Sequence, residues 1–256
     1  MIEVMWIISF FIIGITFGSF YNVLGLRVPK NESIVYPGSH CVRCGHELKW
    51  YELIPVFSYL FLLGKCRNCK EKISLMYPLI ELLTGILFAI SYYSFGFSYE
   101  LFISLIIISL LSLVIVSDVT YMIIPDSFIF IAAVLITILK FLQTGIIDGF
   151  ISIGYGVISF VILYLIMLLG NKLFKKESLG GADIKLFFVV GLIFPPLISM
   201  FTLVVACFVA FPVSLFLYFK NKENIIPFGP FIVLATLFVY FTKLDFDKVL
   251  DFLLNI

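Results

Sequence analysis

Residues 4–25 read VMWIISFFIIGITFGSFYNVLG, with no charged side chain. About 20 such residues in a helix cross the hydrocarbon core of a bilayer, and a water-facing helix has no use for a run of this kind. The pattern returns at about 79–97, 101–117, 127–142 and 149–169. It returns again at 184–196 and 197–219, divided at Pro195-Pro196, and last at 228–242. The segment 184–196 has 13 residues, about 20 Å of helix, which suits a short span or one limb of a re-entrant pair. The expectation is an all-α polytopic membrane protein with about eight transmembrane helices. The first run is long and lacks a basic start or a small-residue cleavage site, so it is read as a retained span and not a removable signal.

Composition agrees. Of 256 residues, 62% are hydrophobic and 13% charged, thirty are phenylalanine, and the mean hydropathy is +1.17. A soluble domain carries about 25% charged residues, so this chain has too little polar surface to cover a globule in water. A soluble enzyme and a disordered chain are excluded. The net charge of +1 gives no field for a polyanion, which excludes nucleic acid as a partner. The lipid bilayer is the implied surrounding.

Lys and Arg orient the spans. Arg27, Lys30, Arg43, Lys49, Lys65, Arg67, Lys70 and Lys72 lie in the loop 27–78. Lys172, Lys175, Lys176 and Lys185 follow the fifth run, and Lys220 and Lys222 follow the seventh. These fourteen of seventeen basic residues fall on one side if eight spans alternate from an outside N-terminus; Lys140, Lys243 and Lys248 fall on the other. That side is the cytoplasm, and both termini lie outside. The expected division is a first transmembrane helix at 1–26, a cytoplasmic loop domain at 27–78 and a transmembrane core at 79–256.

The loop is too small to build a core of its own and needs a staple. It holds Cys41-Val-Arg-Cys44 and Cys66-Arg-Asn-Cys69, with 21 residues between the pairs. Two CxxC turns at this separation suit one tetrahedral Zn²⁺. Four thiolates fill the shell and leave no place for water, so the metal is structural. Arg43, Lys65, Arg67 and Lys70 stand beside the ligands and offset the charge of the site. Disulfides are the competing reading, which a reducing cytosol disfavours. His40 and His46 are read as solvated neighbours, and Cys207 as a small buried apolar residue.

Acidic residues are scarce. Asp118 directly follows the third run and Asp183 directly precedes the sixth, 65 residues later. Both fall at the cytoplasmic boundary, where a carboxylate is costly and a candidate for function. Two facing carboxyls cannot both ionise easily. The ionised one can take a proton from a water attacking a peptide carbonyl, while the protonated one polarises that carbonyl. The competing reading is helix capping: Asp183 at the start of the sixth run, and Asp126, after Ile124-Pro125, as N-cap of the fourth. A proton or ion pathway is a third use.

Together these motifs resemble the type IV prepilin peptidases, over nearly the whole chain. Gly18-Ser19-Phe20-Tyr21-Asn22-Val23 with Arg27-Val28-Pro29 is similar to the family's opening. The two CxxC pairs match its zinc loop, with Pro55 and Ser58-Tyr59-Leu60 between them. Ile73-Ser74, Tyr77-Pro78 and Glu81 follow. Asp118 to Pro125-Asp126 resembles the first aspartate motif, Gly180 to Asp183 with Lys185-Leu186 the second, and Ile226-Pro227-Phe228-Gly229-Pro230 the closing motif.

The resemblance implies a multi-pass aspartyl endopeptidase of the bacterial cytoplasmic (inner) membrane, active at its cytoplasmic face. It implies removal of the basic leader from type IV prepilins or from the pseudopilins of type II secretion, and methylation of the new N-terminus from S-adenosylmethionine. It assigns Asp118 and Asp183 as the catalytic pair and Cys41, Cys44, Cys66 and Cys69 as ligands of a structural Zn²⁺. Glu81, Asp126 and Lys185 are assigned to substrate binding; for Glu81, positioning the loop is an open alternative, and Asn22 is read as an interhelical hydrogen bond. The second motif departs from the family at Ala182, where glycine is usual. Alanine disfavours positive φ, which bears on the backbone turn before Asp183. Two rival classes stay open: a non-enzymatic docking or assembly protein for pilin-like helices, and a proton-coupled transporter. A transporter would set its carboxylates near mid-bilayer, and a docking protein needs neither aspartate.

Overall fold

The computed structural model describes residues 1–175, 179–221 and 227–243. Lys176, Lys222 and Lys248 of the charge pattern and Ile226 of the closing motif lie outside the described residues. The described chain is helical, with no named strand: α1 Ile2–Arg27, α2 Phe57–Phe61, α3 Met76–Phe95, α4 Tyr99–Tyr121, α5 Asp126–Thr144, α6 Ile146–Phe174, α7 Gly181–Ile193, α8 Pro196–Asn221 and α9 Gly229–Thr242. All eight apolar runs are helices. Six of them, α1, α3, α4, α5, α6 and α8, are long and apolar enough to cross a membrane. At 13 and 14 residues, α7 and α9 reach only about 20 Å, so a count of eight spans is not reached by length.

The chain divides into two compact units. The first holds Met1–Leu101 with Ser112–Tyr121, and the second Phe102–Leu111 with Met122–Ile256.

In the first unit α1 and α3 run antiparallel and very close. Gly14 and Gly18 form a GxxxG face. A Cβ at Gly14 would come within 2.7 Å of Gly85 Cα, and one at Gly18 within 2.7 Å of Glu81 Cα. Small residues of this kind let helices approach closely in lipid. Further along the seam, Asn22 Nδ2 donates to the Tyr77 carbonyl at 3.1 Å, the interhelical bond expected of Asn22. At the other end Phe10 stacks on Tyr92 at 4.9 Å and Trp6 meets Phe97 edge-on at 4.9 Å. Thr84 Oγ1 and Ser112 Oγ, 2.8 Å apart, tie α3 to α4.

In the second unit α7 is the central helix. Nine of its residues are buried, from Asp183 to Ile193, which explains a short helix apolar on every side. It runs antiparallel to α6. A Cβ at Gly191 would lie 2.7 Å from Gly156 Cα, and Ser152 Oγ donates to the Leu192 carbonyl at 2.6 Å. It runs parallel to α5 and is held at both ends. Lys185 Nζ meets both Asp126 carboxylate oxygens at 2.7 Å, and Lys140 Nζ donates to the Ile193 carbonyl at 3.4 Å. A cation at a helix C-terminus suits the helix dipole. Cys207 lies on an exposed face of α8 and is not buried, as a helix that turns much of its surface to lipid allows.

The α6–α7 crossing yields a test. Gly191→Ala destabilises the protein by about 1–3 kcal/mol, because the new methyl meets backbone that cannot yield. Gly154→Ala, with open space around its Cβ, shifts stability by less than about 1 kcal/mol. Thermal unfolding in detergent reads both, and equal effects refute the packing argument.

Candidate functional site

The four loop cysteines converge. Their sulfurs all lie within 4.8 Å of one another, with Cys41 Sγ 3.8 Å from Cys69 Sγ and Cys44 Sγ 3.9 Å from Cys66 Sγ. A tetrahedral Zn²⁺ with bonds of about 2.3 Å sets its sulfurs about 3.8 Å apart, so the donors fit a metal and are too far apart for disulfides. The two turns are built alike. Cys41 N–H donates to the His46 carbonyl and Gly45 N–H returns to the Cys41 carbonyl; Cys66 N–H donates to Glu71 and Lys70 N–H returns to Cys66. Gly45 at φ 69 and Lys70 at φ 61 supply the left-handed residue each turn needs. Backbone N–H groups of Cys44 and Arg43 hold the Cys41 thiol down at about 6, which favours the ligating thiolate.

Arg43 pairs with Glu71 across the two turns and so is not free to offset the thiolate charge alone. His40 hydrogen-bonds Gly38, and neither histidine belongs to the cysteine cluster. His46 is more than a solvated neighbour: its Nε2 lies 3.3 Å from Glu52 Oε2. Glu52 escaped the sequence reading. Its carboxylate also accepts the Lys49 N–H at 2.9 Å. That bond first, with the His46 contact, holds it below the usual carboxylate range.

Glu81 is buried in α3, where its Oε2 accepts the Val56 N–H at 2.7 Å and Ser19 adds a second bond. The Val56 bond attaches the start of α2 to α3, the loop-positioning use of this residue, and the Ser19 bond ties α3 to α1.

Asp118 stands in the last turn of α4, 6% exposed, and belongs to the first unit. Lys30 Nζ lies 5.0 Å over the ring of Tyr121, three residues on. Asp183 stands in the first turn of α7, 8% exposed, in the second unit. Gly180, the N-cap, has φ −69° and ψ 140°, and its carbonyl accepts the Asp183 N–H at 3.1 Å. No residue from 180 to 182 has positive φ, so Ala182 meets no strain at the position where the family has glycine. Asp126 is not an N-cap. Pro125 holds that place and Asp126 opens α5. Its carboxylate is drawn to Lys185, a cation the capping argument had not set beside it. The pair is half or more exposed and stabilises by about 0–1 kcal/mol. Asp118 and Asp183 thus each lie buried at a helix end.

An apolar helical protein with a four-cysteine cluster and aspartates buried at helix ends defines a class, a polytopic membrane protein with a loop whose cysteines could hold a metal ion. Residues 12–95 match the bacterial peptidase A24 N-terminal domain, and residues 105–215 match the type IV leader peptidase family. The chain belongs to the type IV leader peptidase family. The prepilin leader peptidase/N-methyltransferase of Bacillus subtilis is 39% identical over 183 residues, 72% of this chain and 71% of that protein. The protein of the same name from Vibrio cholerae is 31% identical over 261 residues, 94% and 98% of the two chains. That of Myxococcus xanthus is 39% identical over 180 residues, 70% of this chain but 53% of that protein, so the match spans about half of its length. No solved structure gives a significant match.

Glu52 yields a test. Its folded pKa lies below the ordinary value of about 4.3, so its stabilisation is present above that value and is lost as pH falls through the lower, folded one. The wild-type loop resists proteolysis better than Glu52→Gln at pH 7, and the two converge in acid. A difference that stays constant with pH refutes the role.

Proposed function

We propose that this chain is an aspartyl endopeptidase that removes the basic leader from type IV prepilins or pseudopilins, with Asp118 and Asp183 as the working pair. The supporting observation is that a member of the leader peptidase family keeps these two aspartates buried at helix ends. One carboxylate accepts a proton from the attacking water and the other, protonated, donates to the scissile carbonyl. The reaction needs no metal at that position and forms no covalent intermediate. A prepilin is an apolar helix with a basic leader, so its cleavage point lies at the membrane edge. The reading includes the cytoplasmic face of the inner membrane as the site of cleavage, and the division of labour between the loop at 27–78 and the core at 79–256.

Cys41, Cys44, Cys66 and Cys69 would hold a structural Zn²⁺, which when bound staples the loop. The relatives' name includes N-methyltransferase, and methylation of the new N-terminus from S-adenosylmethionine belongs to the same reading. No glycine-rich cofactor loop marks a site for that group in the sequence, so no step is assigned to it. Lys185, two residues after Asp183 in the chain, and its ion-pair partner Asp126 serve substrate binding as a pair; Glu81 serves it by holding the loop.

Asp118→Asn and Asp183→Asn each keep shape and lose the ionisable group. Each abolishes cleavage of a prepilin-like substrate in a reconstituted assay, at unchanged membrane insertion and metal content. Asp126→Asn loses less than about tenfold, since it breaks only an exposed ion pair. Full cleavage by Asp183→Asn at normal expression overturns the mechanism and favours a docking protein. Metal analysis should find about one zinc per chain. Thiol labelling of Ser98→Cys and Phe174→Cys from opposite sides checks the orientation; labelling of both from one side refutes it.

A further inference from the structure

The loop carries an apolar face that the peptidase reading does not use. Phe57, Leu60 and Phe61 of α2 are exposed at i, i+3 and i+4, which is one side of a helical turn. Leu63, just beyond, is 84% exposed and Phe61 85%. A patch of this kind, rimmed by polar residues, marks an interaction surface. We propose that α2 is an interfacial anchor, seated in the head-group and acyl boundary of the membrane that α1 and α3 cross, on anionic phospholipid.

Depth is the first argument. The 20 residues of α3 extend about 30 Å, the thickness of the hydrocarbon core. Glu81 lies five residues from its start, and helical side chains lean toward the N-terminus. The Val56 N–H bonded to that carboxylate at 2.7 Å is therefore at the membrane edge, and α2 begins at the next residue. Val56 holds φ 64°, a conformation β-branched residues avoid; the bond to Glu81 fixes it there.

Continuity is the second. Leu79, Leu82, Ile86 and Ile90 form an exposed stripe along α3, so the helix to which Val56 is bonded itself turns an apolar face outward. Charge is the third. Lys65, Arg67, Lys70 and Lys72 follow Leu63 and are all exposed. Basic residues beside an apolar surface snorkel to the interface and attract anionic head groups. The same charges would repel the basic leader of the proposed substrate, which disfavours a prepilin as occupant. The inference itself does not depend on catalysis.

The chain has two tryptophans, Trp6 and Trp50. With both changed to Phe, Phe61→Trp makes a single reporter in the full chain, reconstituted in anionic phospholipid vesicles. An interfacial helix is buried about 5–10 Å, so lipid brominated near the head group quenches this reporter at least about twofold more than lipid brominated near the chain end. Leu60→Trp, a second reporter on the same face, behaves alike. Val42→Trp, between Cys41 and Cys44, stays unquenched. Zwitterionic vesicles weaken the quenching; quenching equal in the two lipids overturns the role of anionic lipid. Reporters at 60 and 61 insensitive to both bromine positions overturn the anchor, and a blue shift that appears only with added prepilin-like peptide assigns the face to protein instead.

Discussion

Helices in lipid gain nothing by hiding apolar surface from one another, because the acyl chains are as apolar as leucine. What holds them is close packing and the few hydrogen bonds that closeness permits. Each unit is organised around one such approach. In the first, Gly14 and Gly18 bring α1 to within a methyl group's distance of α3. Because Gly18 lies against Glu81, the polar residues that follow it on α1 come into reach: Ser19 bonds Glu81 and Asn22 bonds Tyr77. In the second, Gly156 and Gly191 seat α7 on α6. Without those contacts the polar groups would have no partners, and a polar group without a partner in hydrocarbon is expensive.

The short α7 carries a further cost. A buried helix leaves end carbonyls unsatisfied, and α7 ends inside the unit. Ser152 takes the Leu192 carbonyl, Lys140 the Ile193 carbonyl and Ser199 the Phe194 carbonyl. At the other end the Asp126–Lys185 pair fixes the helix against the start of α5. Asp183 therefore projects from a helix that is restrained at both ends, which is what a carboxylate with a defined task needs. The exposed ion pair adds little stability; its contribution is direction.

The helices were legible because lipid as a solvent writes long apolar runs, and each of the eight runs is a helix. The cysteine cluster was legible because two CxxC turns bring donors together from local geometry alone. What went unread has physical reasons. Gly18 stood out only as the start of a family-like motif, and its GxxxG spacing with Gly14 carries no chemistry, so the close approach to α3 is visible only in the packing. Asp126 after a proline resembled an N-cap; its actual partner, Lys185, is 59 residues away, a distance no local rule bridges. Glu52 gave only half a signal, since Lys49-x-x-Glu52 has the acid of a capping box but not the hydroxyl residue that starts one. Cys207 was read as buried because mid-span position was taken for burial, whereas a span may turn such a residue to lipid.

The turn before Asp183 shows how a small-residue motif can be misjudged. The expectation was that glycine serves there for positive φ, so that Ala182 bears on the shape of the turn and not on the aspartate. The backbone is extended at Gly180 and helical from Gly181, so a side chain is tolerated at 182. The constraint falls on Gly180 for another reason. A Cβ at that position would stand 3.0 Å from Asp183 Oδ2, closer than carbon and carboxylate oxygen comfortably approach. The side chain of an N-cap residue commonly takes the N–H groups of the first turn; here the cap has no side chain, and the space beside the carboxylate is kept. The glycine leaves room around the acid, whose carboxylate would have to shift by a few tenths of an ångström to admit a Cβ there.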